Sequence, residues 1–252
     1  MTNRKILVTG SSRGIGRAVA HAFASAGDRV AIHHRDSPDL AAAVLAELPG
    51  DGHVIVQADI ADPAAVRAMV DEAAGRLRGL DVLVNNAASY GRSAHLITDV
   101  SYAQWQQVWQ DTIALNLIGA ANVTWCAVQH MIAGGGGRIV NVSSRGAFRG
   151  EPGQPAYGAS KAGLNALGQS LAVALAPHNI TVAAVAPGFV QTDMAAAHLQ
   201  GAAGDAIRAQ SPFGRVAQPE EIAAAVVFLA SPEAEWASGA ILDLNGASYL
   251  RT

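Results

Sequence analysis

The sequence predicts a doubly wound α/β fold: one mostly parallel sheet of seven strands with helices on both faces. Three observations predict it. Short apolar runs rich in Val and Ile alternate with helical periodicities from end to end, the pattern of repeated strand–helix–strand units. A glycine-rich turn, Gly10-Ser-Ser-Arg13-Gly14-Ile15-Gly16, joins the first run to the first helix. No linker, repeat or low-complexity tract interrupts the 252 residues, so 1–252 is expected to be a single domain.

Composition narrows the function. Half of the residues are apolar and 15% are charged, which suits a large buried core and excludes disorder. A formal charge of −3 leaves no basic footprint for nucleic acid. The single cysteine, Cys126, lies in an apolar helical run and reads as a buried small hydrophobe; it allows no internal disulfide. Neither a signal peptide nor a membrane-length apolar run is present, so a cytoplasmic protein away from membranes is expected.

In chain order, Lys5-Ile-Leu-Val-Thr9 is a buried strand. The helix after the glycine turn uses Ala18, Val19, Ala22 and Phe23 and ends near Gly27. Strand, glycine turn and helix form the setting of a phosphate-binding turn: glycines admit a pyrophosphate to the backbone, and free N–H groups with the helix dipole meet its charge. The spacing Gly-x3-Gly-x-Gly is not that of a P-loop, because Arg17 follows Gly16.

Arg29 to Arg35 is the second strand. An acid at such a strand end binds the ribose 2′-hydroxyl of NAD, whereas arginine suits the 2′-phosphate of NADP. His34 and Arg35 stand there and Arg13 lies in the turn, so NADP(H) is favoured. Asp36 keeps NAD(H) possible. The paired histidines lack a third ligand, so no metal site is expected.

Leu40 to Leu48 is an alanine-rich helix stopped by Pro49-Gly50-Asp51-Gly52. His53 to Ala58 is the third strand, and Asp59-Ile60 follows it either as an adenine contact or as a plain turn. Asp62-Pro63 starts a helix with an N-cap and a first-turn proline. Leu80 to Val84 is the fourth strand, running into Asn85-Asn86-Ala87-Ala88, small enough for a cofactor to lie against. From Ser101, capped with Gln104, one long helix is expected to about Ala133. Asn116 is a poor helix former inside it and, taken alone, reads as a hydrogen-bonded buried amide.

Arg138 to Val142 is the fifth strand, ending at Ser143-Ser144. A loop carrying Arg145, Phe148, Arg149, Glu151 and Gln154 leads to a helix that bears Tyr157 and Lys161 and runs to about Ala176. Four residues apart, Tyr157 and Lys161 share one helix face. A nearby ammonium should lower the phenol from its usual value of about 10 towards working pH. Such a tyrosine exchanges a proton with a carbonyl or an alcohol. Ile180 to Ala186 is the sixth strand, closed by Pro187-Gly188-Phe189-Val190-Gln191-Thr192-Asp193. Ala195 to Ser211 is Ala/Gly-rich with little periodicity and reads as a flap over the site. Pro219 to Ala230 is a helix, and Ala240 to Leu244 is the last strand.

These motifs, in this order, resemble the short-chain dehydrogenase/reductase family over nearly the whole chain. The resemblance implies a Rossmann-type domain. It matches Gly10, Ser12, Arg13, Gly14, Ile15 and Gly16 to the cofactor turn, Asp59-Ile60 to the adenine contact, and Asn86, Ala87 and Ala88 to the strand-end motif. Pro187, Gly188, Val190 and Thr192 match the segment at the nicotinamide end. Asn116, Ser144, Tyr157 and Lys161 match the catalytic tetrad, which turns Asn116 into a functional amide holding a water beside Lys161. Ala88 departs from the family's usual glycine, and Asn245-Gly246-Ala247 departs from a common Asp-Gly-Gly.

The implied activity is hydride transfer between NADP(H) and a small-molecule carbonyl or secondary alcohol. Members that reduce 3-oxoacyl thioesters are the most similar, with sugar, polyol or small-ketone dehydrogenases as the alternative. Acyl carrier protein is a possible but unfavoured partner, because Gly134–Gly137 and Pro177-His178-Asn179 offer little positive charge. Phe148, Gln154, Phe189 and Tyr90 are the candidate substrate neighbours. The resemblance also implies a homotetramer or dimer packed through the helices that hold Asn116 and Tyr157. A hydrolase is disfavoured, since Gly158-Ala-Ser160-Lys-Ala162 lacks the closing glycine of a nucleophile elbow. The intact tetrad argues against a non-catalytic dinucleotide-binding regulator.

Overall fold

The computed structural model describes residues 3–90, 94–196 and 199–251. Seven strands form one sheet: β1 (Lys5–Val8), β2 (Arg29–His34), β3 (Val54–Gln57), β4 (Val82–Asn85), β5 (Gly137–Val142), β6 (Ile180–Pro187) and β7 (Ile241–Leu244). Their order is β3-β2-β1-β4-β5-β6-β7. Every pairing is parallel; Leu7, for example, lies between Ala31 and Leu83. The expected seven-stranded, doubly wound sheet is therefore present.

Both faces of the sheet are covered, so its strands are apolar on both sides. On one face α1 (Gly14–Ser25), α2 (Pro38–Glu47) and α9 (Pro219–Leu229) bury Val19, Phe23 and Ile222 against Ile6, Val8 and Val84. On the other, α3 (Pro63–Leu77), α5 (Ala120–Ala133) and α6 (Pro155–Leu175) bury Met69, Met131 and Leu175 against Leu7, Leu83 and Ile139. Cys126 is buried in this second core. The caps are as expected: the Asp62 carboxylate accepts from the N–H groups of Ala64 and Ala65, and Ser101 and Gln104 form a capping box.

Two elements differ from the sequence expectation. The helix expected to run unbroken to Ala133 is α4 (Tyr102–Ile113), a π-helical segment (Ala114–Gly119) and then α5. π-Turns insert an extra residue and swing side chains out of helical register, often at functional sites. Here the turn carries Asn116, and it closes at Gly119, whose absent Cβ would stand 2.6 Å from the Ile60 carbonyl oxygen. The stretch read as a flap, Ala195 to Ser211, holds the end of one short helix, α7 (Asp193–Ala196), and a second, α8 (Gly201–Arg208). Gly204 packs directly on the Leu199 backbone, so contact is made through small residues and leaves no apolar period to read.

The strand order reverses direction between β1 and β4. That switch point opens a crevice beyond the carboxyl ends of the strands, where ligands bind in such sheets.

Candidate functional site

A cleft of about 390 Å³ occupies that crevice. One side of it is the turn after β1. Gly10 and Gly14 hold φ of 64° and 56°, a region that glycine enters without strain. A Cβ on Gly10 would come within 2.9 Å of the Ala87 Cα, and one on Gly14 would meet the Thr192 methyl at 3.3 Å. Gly16 lies below the cleft. Its missing Cβ is what lets α1 approach the Gly10 carbonyl, 2.4 Å from where that carbon would sit.

The turn is tied to β4 by side chains. Thr9 Oγ1 accepts from the N–H groups of Asn86 and Ala87, both at 3.0 Å, and Asn86 Nδ2 donates to the carbonyls of Thr9 and Gly10 at 2.9 and 3.0 Å. Asn85, one residue earlier, donates to Asn141 Oδ1 on β5 and to Thr124 Oγ1 on α5. The Asn85-Asn86 pair thus locks three strands and a helix behind the cleft.

Sequence reasoning placed His34 in the cofactor site, but strand alternation turns it to the other side. It is buried, and its Nδ1 accepts from the Ser37 N–H at 3.3 Å. The residue that lines the cleft is His33. Its Nδ1 accepts from the Gly10 N–H at 2.8 Å, so the ring proton is on Nε2, which donates to the Ala58 carbonyl at 3.1 Å. Burial pushes the imidazole down to about 4, against the pull of the Ala58 carbonyl. His33 is therefore a neutral strut under the glycine turn. Period-two counting along Arg29–His34 was the signal that could have found it.

At the outer end Arg13, Arg35, Asp36 and Ser37 line the cleft. The Arg35 guanidinium bonds the Asp36 carboxylate at 2.8 Å on the surface. Asp59 and Ile60 line the same end, and Asp59 Oδ1 also accepts from the Ala61 N–H, so turn and contact are compatible roles. Ser12, Ile15, Ala87, Ala88, Pro187, Gly188, Val190 and Thr192 complete this wall.

Ser144, Tyr157 and Lys161 line the same cleft. Ser144 stands two residues past the end of β5; its hydroxyl bonds the Tyr157 phenol and accepts from the Gly146 N–H at 3.0 Å. Lys161 is 2% exposed; its Nζ donates to the Val142 carbonyl at 2.8 Å and lies 5.7 Å from the Tyr157 ring centre. The phenol is not lowered, as the sequence led us to expect. Burial raises it to about 12, and the Ser144 hydrogen bond only partly offsets this. Burial also brings Lys161 down to about 8. The ammonium is spent on a backbone carbonyl rather than on the phenol oxygen, so desolvation decides both values.

Asn116 lies behind the wall and outside the cleft lining. Its Oδ1 accepts from the Ser89 N–H and its Nδ2 donates to the Ser89 carbonyl, each at 2.9 Å, and to Ser160 Oγ at 3.2 Å. Ser160 in turn donates to the Tyr157 carbonyl at 2.7 Å. Asn116 thus couples the π-helical turn to the loop after β4 and to the helix of the tyrosine.

Of the expected substrate neighbours, Tyr90 and Phe189 line the cleft, and Tyr90 stands edge-on to Tyr157 at 4.8 Å. Phe148 and Gln154 lie outside its lining. Arg145, which the sequence showed only as a loop residue, lines it together with Glu151. Its place directly after Ser144 was the signal to weigh. Asn245, at a departure from the family pattern, pins the chain end by bonding both the N–H and the carbonyl of Tyr249.

A family model described as enoyl-(acyl carrier protein) reductase matches residues 10–246. A 3-oxoacyl-[acyl-carrier-protein] reductase of Staphylococcus aureus is 39% identical over 251 residues, covering 98% of each chain. Its counterpart in Aquifex aeolicus is 39% identical over 246 residues, covering 96% of each. Among solved structures, a short chain dehydrogenase from Burkholderia cenocepacia in complex with NADP superposes with a TM-score of 0.88 at 36% identity, covering 98% of each chain. A dehydrogenase/reductase from Sinorhizobium meliloti gives 0.90 at 32% identity, covering 99% of this chain and 96% of that one.

Proposed function

The chain belongs to the short-chain dehydrogenase/reductase family, and on that footing we propose that it is an NADP(H)-dependent oxidoreductase interconverting a carbonyl compound and its secondary alcohol. The observation that carries this reading is that Ser144, Tyr157 and Lys161 line one cleft together with the glycine turn.

The residues present fit a dinucleotide. Gly10 and Gly14 leave room where side chains would block the turn, and the N-terminus of α1 faces it. Arg13 and Arg35 supply the charge for a 2′-phosphate, which must draw Arg35 away from Asp36. Those two arginines, and the NADP held by the Burkholderia cenocepacia relative, favour NADP(H) over NAD(H).

The bound nicotinamide supplies or accepts the hydride; the protein supplies position and proton. A phenol near 12 is a fully protonated acid at neutral pH, so Tyr157 is set to protonate the carbonyl oxygen during reduction. Ser144, already hydrogen-bonded to that phenol, shares the oxygen as charge builds on it. Lys161, near 8, holds the ribose side and refills the proton store. Asn116 has both amide hydrogens engaged by protein, which leaves one carbonyl lone pair for a relay water next to Ser89.

The two reductases cited above support a 3-oxoacyl-thioester-like substrate, with a sugar, polyol or small ketone as the alternative. The sparse positive charge argues against acyl carrier protein as a partner. Exposed Ile118, Trp125 and Val173 on the two expected helices support self-association as a dimer or tetramer. Among the described residues no helix is long and apolar enough to cross a membrane, in keeping with a cytoplasmic location. The test is Tyr157→Phe. Turnover should fall by about 10²–10⁴ with NADPH binding kept. Near-normal turnover on any good substrate would refute the assignment.

A further inference from the structure

We infer that the substrate carries a carboxylate close to its reacting carbonyl, and that Arg145, supported by Arg149, receives it. This rests on the proposed oxidoreductase reading and names the substrate class of the same cleft.

Arg145 follows Ser144 directly. A 3-10 turn (Arg145–Ala147) fixes it, with the N–H groups of Phe148 and Arg149 both donating to its carbonyl at 3.0 Å. The side chain is 4% exposed. It lines the catalytic cleft and also an adjoining cavity of about 280 Å³, with Phe189 as the other residue of the shared wall. The guanidinium lies 5.1 Å over the Phe189 ring. A buried cation normally has a carboxylate partner, because desolvation is otherwise uncompensated. Arg145 has none within ion-pair distance among the described residues. It donates to two neutral oxygens, Ser248 Oγ and Gln210 Oε1, each at 2.6 Å. A guanidinium carries five N–H donors, so its fork is only partly used.

Arg149 reaches the same spot and donates to the same Gln210 oxygen at 3.2 Å. Two guanidinium groups share one neutral acceptor; burial, and after it the repulsion of Arg149, lowers Arg145 from its usual value. The surrounding charges do not cancel them. Glu151 lines the cleft beside Gly146 and offsets one positive charge. Glu221 and Asp243, in the adjoining cavity, are already bound to Arg215 and Arg251. No carboxylate that lines either cavity lies within ion-pair distance of Arg145. A planar fork beside an aromatic face suits a carboxylate, which it grips with two parallel hydrogen bonds.

Because Arg145 and Ser144 are chain neighbours, the acid group and the reacting carbon belong to one short molecule: an oxo acid on the reduction side, a hydroxy acid on the oxidation side. The carbonyl carbon gains the hydride and its oxygen the Tyr157 proton, while the carboxylate is unchanged. A 3-oxoacyl thioester carries no such charge at that place, so the hydride-transfer reading is kept and a free oxo or hydroxy acid replaces its thioester substrate.

The test compares short oxo acids with their methyl esters, with NADPH as reductant, in the wild-type enzyme, Arg145→Gln and Arg149→Gln. The acid should exceed its ester in kcat/KM by tenfold or more in the wild type. That ratio should fall at least tenfold in Arg145→Gln, mainly through KM. Circular dichroism and NADPH titration check the fold; should Arg145→Gln fail to fold, the same ratio in Arg149→Gln decides. Equal use of acid and ester by the wild type, or an unchanged ratio in the variants, would overturn the inference. So would a ketone phosphate that outcompetes every acid. If no carbonyl is reduced at all, the oxidoreductase reading fails separately. Calorimetric binding of the same acids to the NADPH complex then decides the anion site: tenfold weaker binding in the variant supports it, and no binding to the wild type overturns it.

Discussion

Acidification should loosen this fold through one imidazole. His33 is neutral in the folded protein because its Nδ1 accepts from the Gly10 N–H and its surroundings are dry. Its folded value of about 4 lies below the ordinary 6.5 of the unfolded chain. Above pH 6.5 both states are neutral and the full contribution is present. As pH falls from 6.5 towards 4, the unfolded chain takes up a proton that the fold refuses, and stability drops by about 1.4 kcal/mol per pH unit. Across the window the loss reaches about 3 kcal/mol. The measurement is urea unfolding at pH 7.5, 6, 5 and 4 for the wild type and for His33→Asn, which keeps an acceptor near Gly10 but cannot ionise. Carboxylates and His34 titrate in both proteins and cancel. Any advantage of the wild type at pH 7.5 should shrink by about 3 kcal/mol at pH 4. A difference that stays flat with pH would show that His33 is not the group held neutral.

Two further outcomes are expected. Gly16→Ala would drive a methyl group to within 2.4 Å of the Gly10 carbonyl and 2.5 Å of Asn86 Nδ2; it should cost about 1–3 kcal/mol in a thermal melt and weaken NADPH titration, and an unchanged melt would speak against this packing. Ala247 holds φ of 57°, a conformation that strains a side chain by about 1–2 kcal/mol. Glycine there returns roughly 0.5–1 kcal/mol of that in unfolded-state freedom, so Ala247→Gly should raise stability by up to about 1 kcal/mol; a clear loss would contradict the backbone geometry.

The sheet was legible because both of its faces are covered. Each strand is then a continuous apolar run such as Ile6–Val8 or Val82–Val84, and each ends at small or polar residues. The glycine turn and the Ser144, Tyr157 and Lys161 positions were legible for a related reason: their spacing reflects local chain geometry. What escaped depends on tertiary surroundings. The π-helical turn at Asn116 answers to the Ile60 backbone, far away in sequence. His33 and His34 are adjacent and identical in type, and only the pleat tells them apart. The phenol value was misjudged because sequence shows the four-residue spacing to Lys161 but not the Val142 carbonyl that draws the ammonium aside. Arg145 escaped because its partners, Gln210 and Ser248, come from segments late in the chain.

The sheet order has a consequence for how the molecule is made. Reading 3-2-1-4-5-6-7, every strand attaches to a border already exposed when it emerges: β2 and β3 extend one side of β1, and β4 to β7 extend the other. A chain synthesised from its N-terminus never has to wedge a strand between two that have already zipped together. The glycine turn and its His33 contact draw on the first three strands, its side-chain ties wait for the fourth, and the wall of Ser144, Tyr157 and Lys161 waits for the fifth and the helix behind it. The glycine-turn corner of the cleft therefore begins to form on the ribosome before the Tyr157 wall, and the segment after the sixth strand closes the cleft last.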